Sequence, residues 1–519
     1  MKKLLLTSII GVFICFQGVA RDFTYEYEGQ TLAYTVIDED ARTCQTKAGL
    51  LHSYRPGNSV TGRLIIPSIA KEGDTEYTVI GIGDYAFRNC NRITSVIIPN
   101  SITFIGKAAF TKCQDMTSVN LPNSITNIGS NAFSECKNLT FVEIPNSVTV
   151  INDSTFLYCN KLATVTIPNS VKHIGNKSFQ SCPKLNSVII PNSVITIGNE
   201  AFRECKSLTS VTIIGNSLKS IGNWAFYDCS NLYSITLPNS IETIGEKTFC
   251  SCHRLTSIVI PDSLTAIREG TFSNCLRLTT VIIPNSVISI GYSAFSSDSK
   301  LSTIIIGHRL KIIAEDAFEN CPASDVYITA QTPPAAFDNS FSDHSGKLHV
   351  QEEAAAEAYH NAECWKNFGT PELMSVPADM EINMTTISGN SGDNIQLTAK
   401  LIPEDVSLPY IFWTSTDPNV ATVDSNGLVT LRDGIVSDSC KIIAESLYAD
   451  GPIAEVTVTN GSGIDNIYNE SAESNEIDSS APLQVFNLQG VMIGDKMRNL
   501  TPGIYIIRQG EKVKKIAVH

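Results

Sequence analysis

Apolar positions along this chain recur with one long period, not with the short period of a helix or a single strand. Phe87, Phe110, Phe133, Phe156, Phe179, Phe202, Phe226, Phe249, Phe272, Phe295 and Phe318 stand 23 residues apart, apart from a 24-residue step between Phe202 and Phe226. Between successive Phe residues the pattern changes in a set order. A stretch such as "LTSVTI" (Leu208 to Ile213) is β-branched and alternating, which predicts a strand. Pro-Asn-Ser follows in most copies, as at Pro99, Pro122, Pro145, Pro168, Pro191, Pro238 and Pro284, and predicts a turn, because Pro ends strand pairing. "SVKHIG" then points Val171 and Ile174 inward, with Gly175 placed where the backbone bends. "NKSFQSC" is short and ends in two apolar anchors, which predicts one or two helical turns. No such unit covers its own apolar side; stacking on the next one does, so the repetition predicts a solenoid. Eleven coils stacked about 4.8 Å apart predict a parallel sheet on the order of 50 Å long. The extra residue of the longer step falls near Gly215 and predicts a bulge in that turn.

The flanks have other rhythms. Residues 21–78 alternate like strands and are expected to cap the array, which fills 79–329. Residues 330–372 contain "QEEAAAEAYHNAECWKNF", which sets Ala354, Ala358, Ala362, Trp365 and Phe368 at helical spacing and is expected to close the other end. Caps are required because an open solenoid end is an exposed apolar edge. Residues 376–460 carry short alternating strands and turn signals, as a β-sandwich requires. Residues 461–482 are rich in Ser, Asn and Glu and read as a flexible linker, and 483–519 as a small β-domain with Gly490, Gly503 and Gly510 at turns. The first twenty residues read as an export signal: Lys2 and Lys3, an apolar run from Leu4 to Phe16, and small residues at Gly18-Val-Ala20. The expected fold is mostly β: a solenoid of eleven 23-residue coils, with a parallel β-sheet and short helical turns, then a sandwich, then a small C-terminal β-domain.

The repeat, written "IPNSVxxIGxxAFxxCxxLxxVxI", resembles the BspA-like leucine-rich repeat family of exported bacterial proteins. The resemblance covers about half the chain and implies adhesion, with host matrix proteins or other bacterial surfaces as partners. Leu397, Pro403, the run from Trp413 to Asp424 and Gly427 resemble the bacterial immunoglobulin-like (Ig-like) domain of group 2, which implies a stalk or spacer. Gly490, Gly503, Tyr505 and Lys514-Lys515 resemble the C-terminal sorting domain of type IX secretion in the Bacteroidetes. That implies an address read by the outer-membrane secretion machinery.

Charge and candidate chemistry narrow the function. The formal net charge is −14 and no Lys/Arg-rich stretch offers a footprint for phosphate backbones, so nucleic acid is not an expected partner. Three residues after each Phe stands a Cys: Cys90, Cys113, Cys136, Cys159, Cys182, Cys205, Cys229, Cys252, Cys275 and Cys321, with Asp298 in the one remaining place. Metal would need clustered ligands, which one thiol per coil does not supply. Disulfides between neighbouring coils come within reach, and export favours oxidation. A column of equivalent positions repeats one side-chain direction, however, and this suits stacked, buried thiols better than pairs. No cofactor is implied. There is no HExxH, GxSxG, phosphate loop or GxGxxG after a strand, so the chain reads as a binder and not as an enzyme.

A binding face is expected on the outward strand positions. One column holds Ile97, Asn120, Glu143, Thr166, Ile189, Thr212, Thr236, Val259, Ile282 and Ile305. A second, two residues earlier, is mostly Ser and Thr and includes Phe141. Such residues favour strands for packing reasons alone. The functional reading is a wide sheet surface, with Val259, Ile282 and Ile305 as its apolar end. A glycan-binding protein or a structural spacer is the alternative. Sugar binding would call for aromatic rows, for which Trp224, Tyr227, Tyr233 and Tyr292 are the candidates.

Overall fold

The structure, a computed structural model, describes residues 21–48, 60–432 and 440–460, together with the backbone of 483–486, 492–494, 503–509 and 512–518. The export signal at 1–20 and the linker at 461–482 lie outside the described residues. Two units are present, one holding the array and the sandwich, the other the C-terminal strands.

Each coil has three sides. The first is the alternating strand. Ser187–Ile190 pairs in parallel with Ser210–Ile213, one coil on, so that Ile189 meets Thr212 and Ile190 meets Ile213. The second is a two-residue strand such as His173–Ile174, which pairs in parallel with Thr196–Ile197. Gly closes this strand because the coils come close there: a Cβ on Gly198 would stand 2.7 Å from the backbone N of Asn176. Close approach, not a bend, is what excludes a side chain at this place.

The third side corrects the expected helical turns. Two residues per coil, such as Ser154 and Tyr158, have positive φ. A right-handed helix cannot include them. Alternate N–H groups leave the coil instead: those of Ser154, Phe156 and Tyr158 donate to the carbonyls of Asn176, Ser178 and Gln180 at 2.8 to 2.9 Å. The segment is a third inter-coil ladder, built from single turns.

Inside, the Phe column forms one continuous stack from Phe87 to Phe341, with neighbouring ring centroids 4.9 to 5.6 Å apart. Phe341 continues the 23-residue spacing beyond Phe318, and the solenoid has about 13 turns instead of eleven. Its first parallel strand is Thr43–Thr46, which pairs with Thr75–Ile82, and on the main side Gly62–Ile65 pairs in parallel with Ile93–Ile97. Ahead of it, Asp22–Tyr27 and Gln30–Asp38 form an antiparallel hairpin over the open end. At the far end Lys347–Val350 and Glu372–Leu373 extend the sheet. Helix Glu353–Asn361 buries Ala355 and Tyr359, while Ala354, expected inward, is exposed. A separate 3-10 turn, Trp365–Phe368, sets Phe368 edge-on against Phe341 at 5.3 Å and seals the stack.

The sandwich follows. Cys440–Ser446 pairs antiparallel with Ile411–Ser415 and with Ile453–Asn460. Opposite lies a sheet in which Leu428–Leu431 pairs with Asn394–Gln396 and Ala421–Val423. Trp413 is buried between them. In the second unit, Gly503–Gln509 pairs antiparallel with Leu483–Phe486 and Lys512–Val518.

Candidate recognition face

The turn after each main strand shows why Pro-Asn-Ser recurs. The Pro carbonyl accepts from the N–H three residues on, as Val148 does to Pro145 at 3.0 Å. The Ser hydroxyl donates to a carbonyl one coil back: Ser170 to Val148 and Ser193 to Val171, both at 2.7 Å. The Asn side chain is left at the rim. Its Oδ1 can take the next coil's N–H, as Asn123 does from Asn146 at 3.2 Å, which leaves the amide Nδ2 free to donate outward.

The outward column runs beside this rim. Asn120, Glu143, Thr166, Ile189, Thr212, Thr236 and Val259 are exposed and Ile97 is half-buried. Phe141 and Ile189 are 49% and 57% exposed, enough to make an apolar contact. Further along, the face ceases to be free. Ile282 is half-buried and Ile305 only 2% exposed, because both join the sandwich's own apolar cluster together with Tyr327. The expectation of an exposed Val259–Ile282–Ile305 strip is therefore corrected: the sandwich sits on the last coils and covers Ile305.

The rim residues hold it there. Asn239 Nδ2 donates to the Trp413 carbonyl at 3.1 Å. Asn285 Nδ2 donates to Glu445 Oε1 at 2.9 Å and to the Ser446 carbonyl at 3.2 Å, while its Oδ1 accepts from the His308 N–H. One and two coils on, the same column supplies His308, against Leu447, and Gln331, which donates to Asp450 at 3.1 Å. Thr329 adds a bond to the Leu447 carbonyl at 2.9 Å, and Gln351 exchanges two bonds with Ala449. Where the sandwich approaches Asn216, Lys219, Asn239 and Asp262, a cavity of about 280 Å³ remains. Sequence reasoning missed this contact. The signal it could have used is the change of the rim column from Asn to Asp262, His308 and Gln331 where the partner sits.

Comparison with known proteins agrees with this architecture. The model of the BspA type leucine rich repeat region matches residues 80–209 and 195–325, and that of the bacterial Ig-like domain (group 2) matches 378–434. The chain carries BspA-type leucine-rich repeats followed by a group 2 Ig-like domain. Among solved structures, a leucine rich cell surface protein of Faecalibacterium prausnitzii is 25% identical, with 65% of this chain and 97% of that chain covered and a TM-score of 0.38. A leucine-rich repeat protein of Bacteroides ovatus is 24% identical, with coverages of 63% and 100% and a TM-score of 0.40. The pneumococcal vaccine antigen PcpA is 20% identical, with coverages of 68% and 98% and a TM-score of 0.44. No curated protein matches.

The Cys ladder of these BspA-type repeats is internal. Every described Cys is a free thiol. Cys113 to Cys275 and Cys321 are buried, and Cys90 is half-buried. Each sulfur from Cys113 on donates to the Phe carbonyl of the preceding coil, as Cys205 does to Phe179 at 3.2 Å. Burial pushes these thiols far above their ordinary range, which leaves them inert. Asp298 takes the same place: its Oδ1 accepts the Cys275 N–H at 2.6 Å, its Oδ2 is buried without a partner, and burial pushes its carboxyl well above the ordinary carboxylate range.

The aromatic candidates are not one row. Trp224 and Tyr227 lie 4.9 Å apart with Arg203 over both rings and Lys247 over Trp224. Tyr233 precedes the main strand Ser234–Ile235, whereas Tyr292 follows the narrow strand Ser289–Ile290. Among the described residues no group of three His, Cys, Asp or Glu side chains is placed to hold a metal, and no helix is long and apolar enough to cross a membrane.

Proposed function

We propose that this chain is an exported bacterial surface protein that binds protein partners, and so mediates adhesion, through the open part of its repeat sheet from Ile97 to Val259. The observation that carries the reading is within the molecule. Farther along the same column, the array already holds a folded domain with aliphatic side chains and rim amides. The uncovered coils offer the same kind of surface, with Phe141, Ile189 and Val259 exposed and exposed Asn side chains at Asn123, Asn146, Asn169 and Asn192 beside them. Contact over area needs no pocket, and an interface of ordinary size buries on the order of 1,600 Å² in total. Host matrix proteins and other bacterial surfaces are the partners this reading favours, and binding rather than catalysis is the role it assigns. The N-terminal segment would export the chain, and the C-terminal strands would serve as its sorting address.

The test is binding of the full chain to a panel of matrix proteins and bacterial cells, beside the variant Phe141→Lys/Ile189→Lys. Saturable binding by the wild type, lost in a variant with unchanged circular dichroism and Tm, supports the reading. Equal binding by both removes the open face from it.

A further inference from the structure

Two members of the rim column beneath the Ig-like domain titrate. Asn239 and Asn285 donate amide hydrogens to the domain. Between them, where most repeats have Asn, stands Asp262, whose carboxyl can donate only when protonated. Its Oδ1 is buried without a hydrogen-bond partner. The carboxylate of Glu445, on the domain, is the charge that acts on it. From the array, Lys219 and Glu242 line the same cavity but are paired with each other at 2.9 Å. One coil beyond Asn285, His308 is half-buried with its Nδ1 unpartnered, and is acted on by Glu445, Asp450 and Arg309.

We propose that these residues form a proton-dependent latch: the Ig-like domain stays docked while Asp262 is protonated and His308 neutral, and ionisation of Asp262 releases it. Release uncovers Ile282, Ile305 and Tyr327 as a continuation of the open strip. Only this last consequence rests on the function proposed above; the latch does not.

Burial raises Asp262 from its ordinary 3.8 to about 8 in the docked state. Its contribution to docking is full below pH 4 and is lost as pH rises toward 8. Burial lowers His308 below its ordinary 6.5, so its contribution is full above that value and is lost as pH falls. The two slopes oppose each other in the acid range. Above pH 6.5 Asp262 acts alone, and release belongs to that window.

The test is amide hydrogen exchange on the full chain, corrected for intrinsic pH dependence. The reporter is the peptide around Ala449, whose N–H donates to Gln351 across the contact at 2.8 Å. Exchange in the wild type should quicken about tenfold from pH 6.5 to pH 8, since each pH unit of linked titration is a factor of ten at most. Asp262→Asn, which restores the commonest residue of the column, should stay protected over that range. In His308→Asn the quickening should begin at lower pH. Asn285→Asp, which places a second buried carboxyl beside Glu445, should lose protection more steeply than the wild type as pH rises to 8. A flat wild-type profile, a wild-type slope in Asp262→Asn, or full protection in Asn285→Asp would each overturn the latch. Failure to bind any partner while exchange follows this pattern would count against the proposed function alone.

Discussion

Ile189 and Ile305 occupy the same column of the same repeat, yet one is 57% exposed and the other 2%. The coils around them are built alike. Ser187–Ile190 pairs with the next strand as Thr303–Ile306 pairs with the one before it, residue for residue along the strand. The difference is a second domain. On the first coils the outward aliphatic side chains meet solvent; on the last they complete the core of the Ig-like sandwich. A repeat therefore specifies a surface without specifying its occupant. A sheet whose coils stack can hold a neighbour wherever one is tethered close enough.

Substitutions should break this symmetry in graded fashion. Phe202→Ala removes a ring stacked at 5.3 Å on both sides and should cost about 3–5 kcal/mol, read from denaturant unfolding. Any coil of the stack should respond similarly, covered or not. Ile305→Lys puts a charge into the shared core and should release the sandwich, costing about 3 kcal/mol or more, whereas Ile189→Lys should stay within about 0.5 kcal/mol of wild type. Equal effects would contradict the covered half. Asp298→Cys restores the thiol ladder at a site where Oδ2 is buried without a partner and should stabilise by about 1–3 kcal/mol. Because burial raises the Asp298 pKa, the stability tied to its protonated form is present at low pH and lost as pH rises, so the gain should grow toward alkaline pH. The smallest effect is chemical. With a thiol reagent at pH 8, the half-buried Cys250, raised less than its neighbours, should react before Cys136 to Cys275, whose thiols burial holds much higher.

Much of this was legible beforehand. The 23-residue spacing of Phe and Cys identified a solenoid, its strands and its buried column, because each coil repeats one environment and so one residue type. The sandwich was legible from its alternating strands and Trp413. The short segment around each Phe was misread as helical. Apolar residues two or three apart look helical, and nothing in residues such as Ser154, Tyr158 or Lys177 announces positive φ. Inter-coil hydrogen bonds impose that backbone. Phe341 was in phase but escaped notice because its coil lacks the Cys and the Pro-Asn-Ser turn.

What the sequence determined by itself is the coil: which side chains turn inward, where the chain turns, and that one coil must lie on the next. Periodicity carries that information because burial in a stack is a local, repeated demand. What only the tertiary structure decided is which part of the outward face is free. Ile189 and Ile305 are the same residue in the same local setting, and nothing within a coil records that Asn239, Asn285 and Gln331 will meet a domain more than a hundred residues away. That contact depends on how the linked sandwich folds back, a property of the whole chain and not of any repeat in it.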